Sequence, residues 1–336
     1  MVTSRTAILF SGQGNLRKST LTDGDMHGCV LQVLEEMGTA AGVWGHGALE
    51  KRAEAGQVLI DHSSDKPENL ALLVFAASVA QYRSLENQGL RPMAMVGHGF
   101  GEIIALVCAG AFSVQHGAEI VLNRTAVLEE KRSEAGAMVA VKADKSMADT
   151  LVELAGAHRA VVAAENSPLE VVISGTRKGI ERVRHLARNF GIAVIALKAP
   201  WALHYPPIML PVAGELKTRL RHTPSQPLRI PVFSPILGRY YTDSDNLAES
   251  LADHLTRPVR FAHAVRYLSS CGVESFIECG PLSGLGRCVR ELGYDGHSGV
   301  APAESESSLW GRLASRWTKP EEPSLRYGAG VLASLS

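Results

Sequence analysis

The sequence has no excess of charge of either sign, because its 34 lysines and arginines are matched by 34 aspartates and glutamates. That balance argues against a nucleic-acid-binding protein, which needs a basic face, and leaves open only a local basic patch. No apolar run approaches the roughly 20 residues of a membrane span. Residues 1–7 lead directly into a strand-like run, so a secretory signal is not predicted. We therefore expect no nucleic acid and no membrane among the partners, and a cytoplasmic location.

Cysteine is scarce, and its spacing lacks the pattern of a structural site. The five cysteines form no CxxC pair, and an odd number argues against a disulfide framework in a chain of this length. Zinc-site spacing is absent as well, so no metal is expected. Free buried thiols in a reducing compartment are the simplest interpretation for Cys29, Cys108, Cys271, Cys279 and Cys288.

One segment has the strand, sharp turn and helix that form a nucleophile elbow. An apolar run at residues 93–96 is followed by the small-residue turn GHGFG at 97–101, and residues 102–107 have helical character. Small residues on both sides permit the tight backbone that such a turn needs. The apex of an elbow should carry a serine, but the residue here is Gly99, which has no side chain.

The spacing of apolar residues predicts an α/β fold in two parts. Residues 133–199 are predicted to be an inserted subdomain with the β-α-β-β-α-β order of a ferredoxin-like unit. Residues 1–132 and 200–300 then form a discontinuous, hydrolase-like core with a parallel sheet. Residues 301–336, rich in Ser, Glu, Pro and Gly, are predicted to be a loosely ordered tail or linker. In the core, strands are predicted at 6–10, 228–233 and 275–279, and helices at 70–89, 115–132, 208–220, 244–254 and 261–271.

Several short motifs occur in an order and spacing that are specific together, although each alone is weak. They are FSGQG at 10–14, GHGFGE at 97–102, GAMVAV at 136–141, NSP at 166–168, WALH at 201–204, RPVRF at 257–261 and ECGP at 278–281. An arginine also stands 25 residues beyond the apex. Across about residues 6–295 the chain resembles the malonyl-CoA:acyl-carrier-protein transacylase and polyketide synthase acyltransferase family.

The resemblance implies two-step acyl transfer from coenzyme A, through a serine, to the thiol of a phosphopantetheinyl acyl carrier protein. It makes His204 the base and places the oxyanion donors at the backbone N–H groups of Gln13 and Phe100. Arg124 would pair with the free carboxylate of a malonyl-type acyl group, for which a two-pronged donor is well suited. The resemblance implies no bound cofactor beyond the acyl-CoA and carrier-protein substrates, and it adds a ketosynthase as a candidate partner.

The other candidates each have a structural interpretation beside the functional one. His98 and Asn166 are assigned to the substrate site, with His98 also expected to be held structurally beside the apex. Trp201 stands where the family usually has Tyr or His, and it either narrows the acyl pocket or only packs. Taken alone, His204 would be a satisfied core histidine and Arg124 a solvated helix residue. The elbow upstream of both residues favours a role in the active site for His204 and for Arg124.

A general esterase fits less well, since it would need the same missing serine. The sequence also has no separate acidic residue placed to complete a Ser-His-Asp set. The resembling family orients its histidine through backbone carbonyls instead. In the segment that precedes RPVRF, His254 stands where that family usually has Gln, which leaves the role of this side chain open.

Glycine accepts the strained backbone of an elbow at little cost, so Gly99 preserves the fold but cannot form an acyl-enzyme. Three interpretations are open. Gly99 is an engineered or sporadic replacement in a working transacylase, or His204 directs a thiol or water at a bound thioester, or the protein is a non-catalytic partner of a carrier protein. The chain is expected to be a stand-alone protein, with an excised domain as the alternative.

Overall fold

The computed structural model describes residues 4–12, 25–42, 67–131, 136–156, 158–197, 201–281 and 284–298. Residues 1–300 form one compact unit, and a second unit, 301–336, lies outside the described residues. The tail prediction therefore falls outside them as well. None of the helices in the described ranges is long and apolar enough to cross a membrane.

The centre of the unit is a six-stranded sheet in the order β10-β9-β1-β2-β7-β8. Its strands run parallel except β8, which pairs antiparallel with β7. Residues 7–10 of β1 and most of β2 are apolar and buried, as expected for a parallel sheet covered on both faces. The strands are β1 (Ser4–Phe10), β2 (Pro92–Gly97), β7 (Val232–Ser234), β8 (Arg239–Tyr240), β9 (Ser275–Cys279) and β10 (Asp295–Ser298).

Two of the helices around this sheet begin where a side chain accepts a free N–H group of the first turn. Ser113 caps the N-terminus of one helix, and Asn246 caps another. The helices are α1 (Asp25–Gly42), α2 (Pro67–Asn87), α3 (Gly101–Cys108), α4 (Val114–Glu130), α7 (Pro206–Leu220), α8 (Leu247–Asp253), α9 (Phe261–Ser270) and α10 (Leu285–Glu291).

A second sheet has four antiparallel strands in the order β4-β5-β3-β6. Two helices connect its strands and give the β-α-β-β-α-β order of a ferredoxin-like unit. The elements are β3 (Ala137–Val141), α5 (Lys145–Ala155), β4 (Ala160–Ser167), β5 (Glu170–Gly175), α6 (Arg177–Asn189) and β6 (Val194–Ala196).

The four-stranded sheet buries both of its faces, because side chains alternate along each strand. Val139 and Val141 of β3 pack with α5 and α6. Met138 and Ala140, which point the other way, join the core that contains Val96 of β2. The alternation therefore places one face of the small sheet in the same apolar core as β2, the strand that leads into the elbow.

The predicted α/β architecture with a parallel core and a ferredoxin-like unit is confirmed. One strand was predicted too long, since residues 228–233 reduce to β7 from Val232 onward. Pro227 and Pro231 lack the N–H that a ladder needs, and the carbonyl of Pro231 instead accepts from Met95. The helix predicted at 244–254 begins only at Leu247. Neither α10 nor β10 was predicted from the sequence.

Candidate active site

The turn between β2 and α3 has the geometry of an elbow. The N–H of His98 donates to the carbonyl of Phe10 at 2.8 Å, which ties the turn to β1. The N–H of Glu102 donates to the carbonyl of Gly99 at 3.0 Å as α3 begins. Gly99 itself has φ +57°, in the left-handed region that side chains rarely adopt. The predicted apex is therefore the residue of the turn that has a left-handed backbone, which glycine adopts at little cost.

The three glycines of the turn differ in the space around them. A Cβ on Gly97 would lie 2.1 Å from backbone atoms of Glu102, and one on Gly101 would lie 2.0 Å from the carbonyl oxygen of Phe10. A Cβ on Gly99 would meet nothing within 4 Å. Close backbone packing thus requires glycine at two positions, whereas Gly99 leaves open space where an elbow presents its side chain.

His204 is held by two hydrogen bonds to one distant segment. Its backbone N–H donates to the carbonyl of Leu255 at 2.8 Å, and its Nδ1 lies 2.7 Å from the carbonyl of Arg257. A carbonyl can only accept, so Nδ1 carries the proton and Nε2 holds the lone pair of the neutral ring. His204 also has φ +66°, which among the described non-glycine residues is the one left-handed value. Such strain persists where surrounding contacts enforce it.

The ring of His204 is neutral at physiological pH. The side chain is buried, and desolvation lowers its pKa to about 3 despite the opposing hydrogen bond to Arg257. The charges of His98, Arg124 and His254 lower the pKa further. His204 therefore lies within electrostatic range of His98, the residue before the apex, and of Arg124, the predicted substrate arginine. A neutral imidazole with its lone pair on Nε2 is able to accept a proton.

His98 is fixed by the small sheet. Its Nε2 lies 2.8 Å from Oδ1 of Asn166, whose Nδ2 donates to Glu170 at 3.1 Å. Because the amide of Asn166 is oriented by Glu170, its oxygen is left to accept the Nε2 proton of His98. Burial opposes ionisation of Glu170, but hydrogen bonds from Lys142, Arg287 and Asn166 outweigh it and lower its pKa. The predicted structural role of His98 fits this arrangement, and Asn166 contacts His98.

Arg124 is a buried cation on α4. Its guanidinium carbon lies 5.6 Å from the ring centroid of Phe100, within range of a cation–π contact. Desolvation lowers its pKa to about 10, so the side chain still carries its charge at pH 7. The alternative of a solvated helix residue is excluded, since Arg124 is only 5% exposed.

Phe100 and Gln13 are the two predicted oxyanion donors. Phe100 stands at the N-cap of α3, where backbone N–H groups have no intrahelical acceptor. Gln13 lies outside the described residues. Trp201 is buried, and its indole N–H donates to the carbonyl of Leu128 on α4 at 3.1 Å. That bond anchors the WALH segment one helical turn beyond Arg124.

Four residues that surround this site have contacts that were not assigned from the sequence. Leu255 and Arg257 provide backbone carbonyls, which leave no signal in the residue type. Tyr241 donates to Oε1 of Glu102 at 2.8 Å, and no sequence pattern relates these two residues. His254, noted only as a departure from a motif, lies 3.3 Å from Oε2 of Glu102. Within the described ranges, no group of three His, Cys, Asp or Glu residues could hold a metal ion.

The chain has measurable similarity to known proteins. A family model described as "Acyl transferase domain" matches residues 30–309. Malonyl CoA-acyl carrier protein transacylase of Escherichia coli (strain K12) is 30% identical over 290 residues, which are 83% of this chain and 91% of that protein. Hispidin synthase of Neonothopanus nambi is 28% identical over 284 residues, 82% of this chain, and the chain spans only 17% of its length.

The chain also resembles a solved structure over nearly its whole length. The crystal structure of malonyl-CoA:acyl carrier protein transacylase from Xanthomonas oryzae pv. oryzae matches with a TM-score of 0.81 and 25% identity. The match covers 94% of this chain and 99% of that one. Both sheets of the fold are therefore accounted for by one known architecture.

Proposed function

The chain belongs to the acyl transferase domain family, and from that premise we propose that its site holds a malonyl-type acyl group for transfer between coenzyme A and an acyl carrier protein. Gly99 occupies the nucleophile position in this proposal, so the chain as it stands forms no acyl-enzyme. The observation that carries the proposal is His204, a neutral base whose lone pair is fixed on Nε2 by the carbonyl of Arg257. A site without use for a base has no need of such a strained residue.

With a serine at position 99, each group would have a defined role. The Oγ proton passes to Nε2 of His204 as Oγ bonds to the thioester carbon. The N–H of Phe100 at the start of α3 stabilises the oxyanion. The C–S bond then breaks, and the coenzyme A sulfur takes the proton from His204. The carrier-protein thiol attacks the serine ester by the same steps and releases the acyl carrier product.

Arg124 accounts for the proposed choice of a malonyl-type group. A guanidinium offers two parallel N–H donors that match a carboxylate. The burial of Arg124 strengthens its attraction for an anion, because little water competes in the site. An acetyl group presents no anion and gains nothing from this residue.

A second candidate is direct transfer without an acyl-enzyme. The open space at Gly99, where an added Cβ meets nothing within 4 Å, favours it because an incoming thiol has room at the apex. The carrier thiol would give its proton to Nε2 of His204, and its sulfur would attack the bound thioester carbon directly. The coenzyme A sulfur would leave with the proton. Binding and oxyanion stabilisation alone retain about 10³–10⁴-fold of rate over water when a nucleophile is lost.

Intact-protein mass spectrometry tests the proposal. The chain and its Gly99→Ser variant are each incubated with malonyl-CoA and with acetyl-CoA, and the Gly99→Ser/His204→Gln double variant is the control. We expect a malonyl adduct on the serine form alone, with the double variant much slower. No adduct on a folded serine form would refute the transacylase site. Malonyl transfer to a carrier protein by the unaltered chain would support the direct route, and carrier binding without transfer would support a non-catalytic partner.

The proposal extends to the surroundings of the site. We place the protein in the cytoplasm with a carrier protein and a ketosynthase as partners in polyketide or fatty acid assembly. We also propose that residues 133–199 act as a separate small subdomain inserted between 1–132 and 200–300.

A further inference from the structure

A polar cluster lies buried beneath the elbow and takes no part in the steps above. Glu102, Tyr241 and His254 are 0%, 5% and 4% exposed. The hydroxyl of Tyr241 donates to Oε1 of Glu102 at 2.8 Å, and Nε2 of His254 lies 3.3 Å from that same hydroxyl oxygen. Burying three such groups is costly unless they bond one another.

The direction of the bonds in the cluster follows from its chemistry. Burial and the charge of Glu102 raise the pKa of Tyr241 well above its ordinary value, so the hydroxyl keeps its proton and donates a hydrogen bond to the carboxylate. The hydroxyl oxygen is then an acceptor for Nε2–H of His254. The other carboxylate oxygen lies 3.3 Å from His254 without an aligned hydrogen bond, so that contact is electrostatic. His254 is thereby attached to the first turn of α3.

His254 begins the segment that holds the proposed base. The carbonyls of Leu255 and Arg257, one and three residues further on, accept both hydrogen bonds of His204. We name residues 254–259 the clamp segment. Because His204 has an unfavourable left-handed backbone, its orientation depends on those two carbonyls staying in place.

The clamp segment also reaches the elbow from the other side. At its end, the N–H of Val259 donates to Ala163 of β4, and its carbonyl accepts from Glu165, both at 2.9 Å. Asn166, which follows Glu165 on β4, bonds to His98 beside the apex. The segment is thus bonded to the elbow through β4 at one end and through His254 at the other.

We propose that His254 is a positioning residue that locks the clamp segment to Glu102 and Tyr241, and thereby sets His204 relative to position 99. Its catalytic consequence rests on the proposed function, but the geometry does not. Without the His254 side chain, β4 still holds Val259, and the N–H groups of Leu255 and Arg257 still donate to Ala252 and Asp253 at the end of α8. The segment then loses its bond to Tyr241 and Glu102, which is its direct connection to α3. His204 is then free to leave its strained backbone, and Nε2 moves away from the apex. A misplacement of about 1 Å costs on the order of 100-fold in rate.

The first test uses the chain as it exists and needs no activity. The Nδ1 proton of His204 is followed by NMR with ¹⁵N-labelled histidine and is assigned by its loss in His204→Gln. We expect this proton to exchange with water about 10-fold faster or more in His254→Ala. His254→Gln should keep the slow exchange, because the Gln amide N–H can reach the position of Nε2. The exposed histidine of α9 gives the matched control, His263→Ala, with no change expected.

The second test measures acylation of the Gly99→Ser form by malonyl-CoA. We expect His254→Ala to lower the limiting rate constant of acylation about 10- to 100-fold and to leave the half-saturating malonyl-CoA concentration nearly unchanged, with His254→Gln restoring most of the rate. Should His254→Ala fail to fold, Tyr241→Phe removes the linking hydroxyl with little change in shape, and faster Nδ1–H exchange is expected there too. Unchanged exchange in folded His254→Ala or Tyr241→Phe overturns the inference. If malonyl-CoA does not acylate the Gly99→Ser form but the variants still show the expected faster Nδ1–H exchange, only the proposed function is refuted.

Discussion

Replacing Gly99 by alanine adds one Cβ to a residue with φ +57° and open space around it. The left-handed backbone costs a residue with a Cβ about 1–2 kcal/mol. Part of this is offset, because the unfolded alanine chain has less freedom to lose, by about 0.4–1 kcal/mol. We expect Gly99→Ala and Gly99→Ser to lower the free energy of unfolding by about 1 kcal/mol, and both variants to stay folded.

The neighbouring glycine sets the contrast. A Cβ on Gly97 would lie 2.1 Å from the Cα and N of Glu102, and backbone atoms cannot rotate away as a side chain can. The turn itself has to shift, and overpacking of this kind costs about 3 kcal/mol or more. Gly97→Ala should therefore be the far more destabilising of two chemically identical changes, two residues apart.

Equilibrium urea unfolding of the unaltered chain, Gly99→Ala and Gly97→Ala measures the difference in unfolding free energy. Unfolding is followed by tryptophan fluorescence and by circular dichroism. The comparison rests on midpoint shifts at a common slope. Equal losses in Gly99→Ala and Gly97→Ala would refute the assignment of Gly99 as an apex with open space beside it. A loss above about 3 kcal/mol for Gly99→Ala would show that the apex is packed rather than open.

Three further results are expected. Between pH 6.5 and pH 5 the unfolded chain protonates His204, whereas the folded chain, with its pKa lowered to about 3, does not. The free energy of unfolding therefore falls by about 2 kcal/mol as the pH drops. Urea unfolding at the two pH values should show that His204→Gln removes this part of the loss. In the Gly99→Ser form, Arg124→Ala should slow adduct formation with malonyl-CoA about 10- to 100-fold and leave that with acetyl-CoA nearly unchanged; an equal slowing with both would contradict the carboxylate role. Asn166→Ala should cost about 1–3 kcal/mol in unfolding free energy, because the imidazole of His98 loses its buried acceptor; a loss indistinguishable from zero would argue against that bond.

Much of the fold could be predicted because its signals are local. The β-α-β-β-α-β order at residues 137–196 follows from alternating and helical apolar spacing. The short strand β7 was misjudged because the strand predicted at 228–233 runs through Pro231, which has no N–H to pair. α10 and β10 were missed, since each has only a few residues and little periodicity of its own.

The sequence by itself determined the identity of the groups available for chemistry: a glycine at the apex, one histidine after WAL, and one arginine on the helix beyond the elbow. The tertiary structure alone decided which partners those groups have. His204 takes its carbonyl from a residue 53 positions away, and Tyr241 reaches Glu102 across 139 positions. Such bonds depend on how sheets and helices pack, and backbone carbonyls accept hydrogen bonds whatever side chain they carry. The protonation state and strain of His204 are therefore properties of the folded chain rather than of any motif.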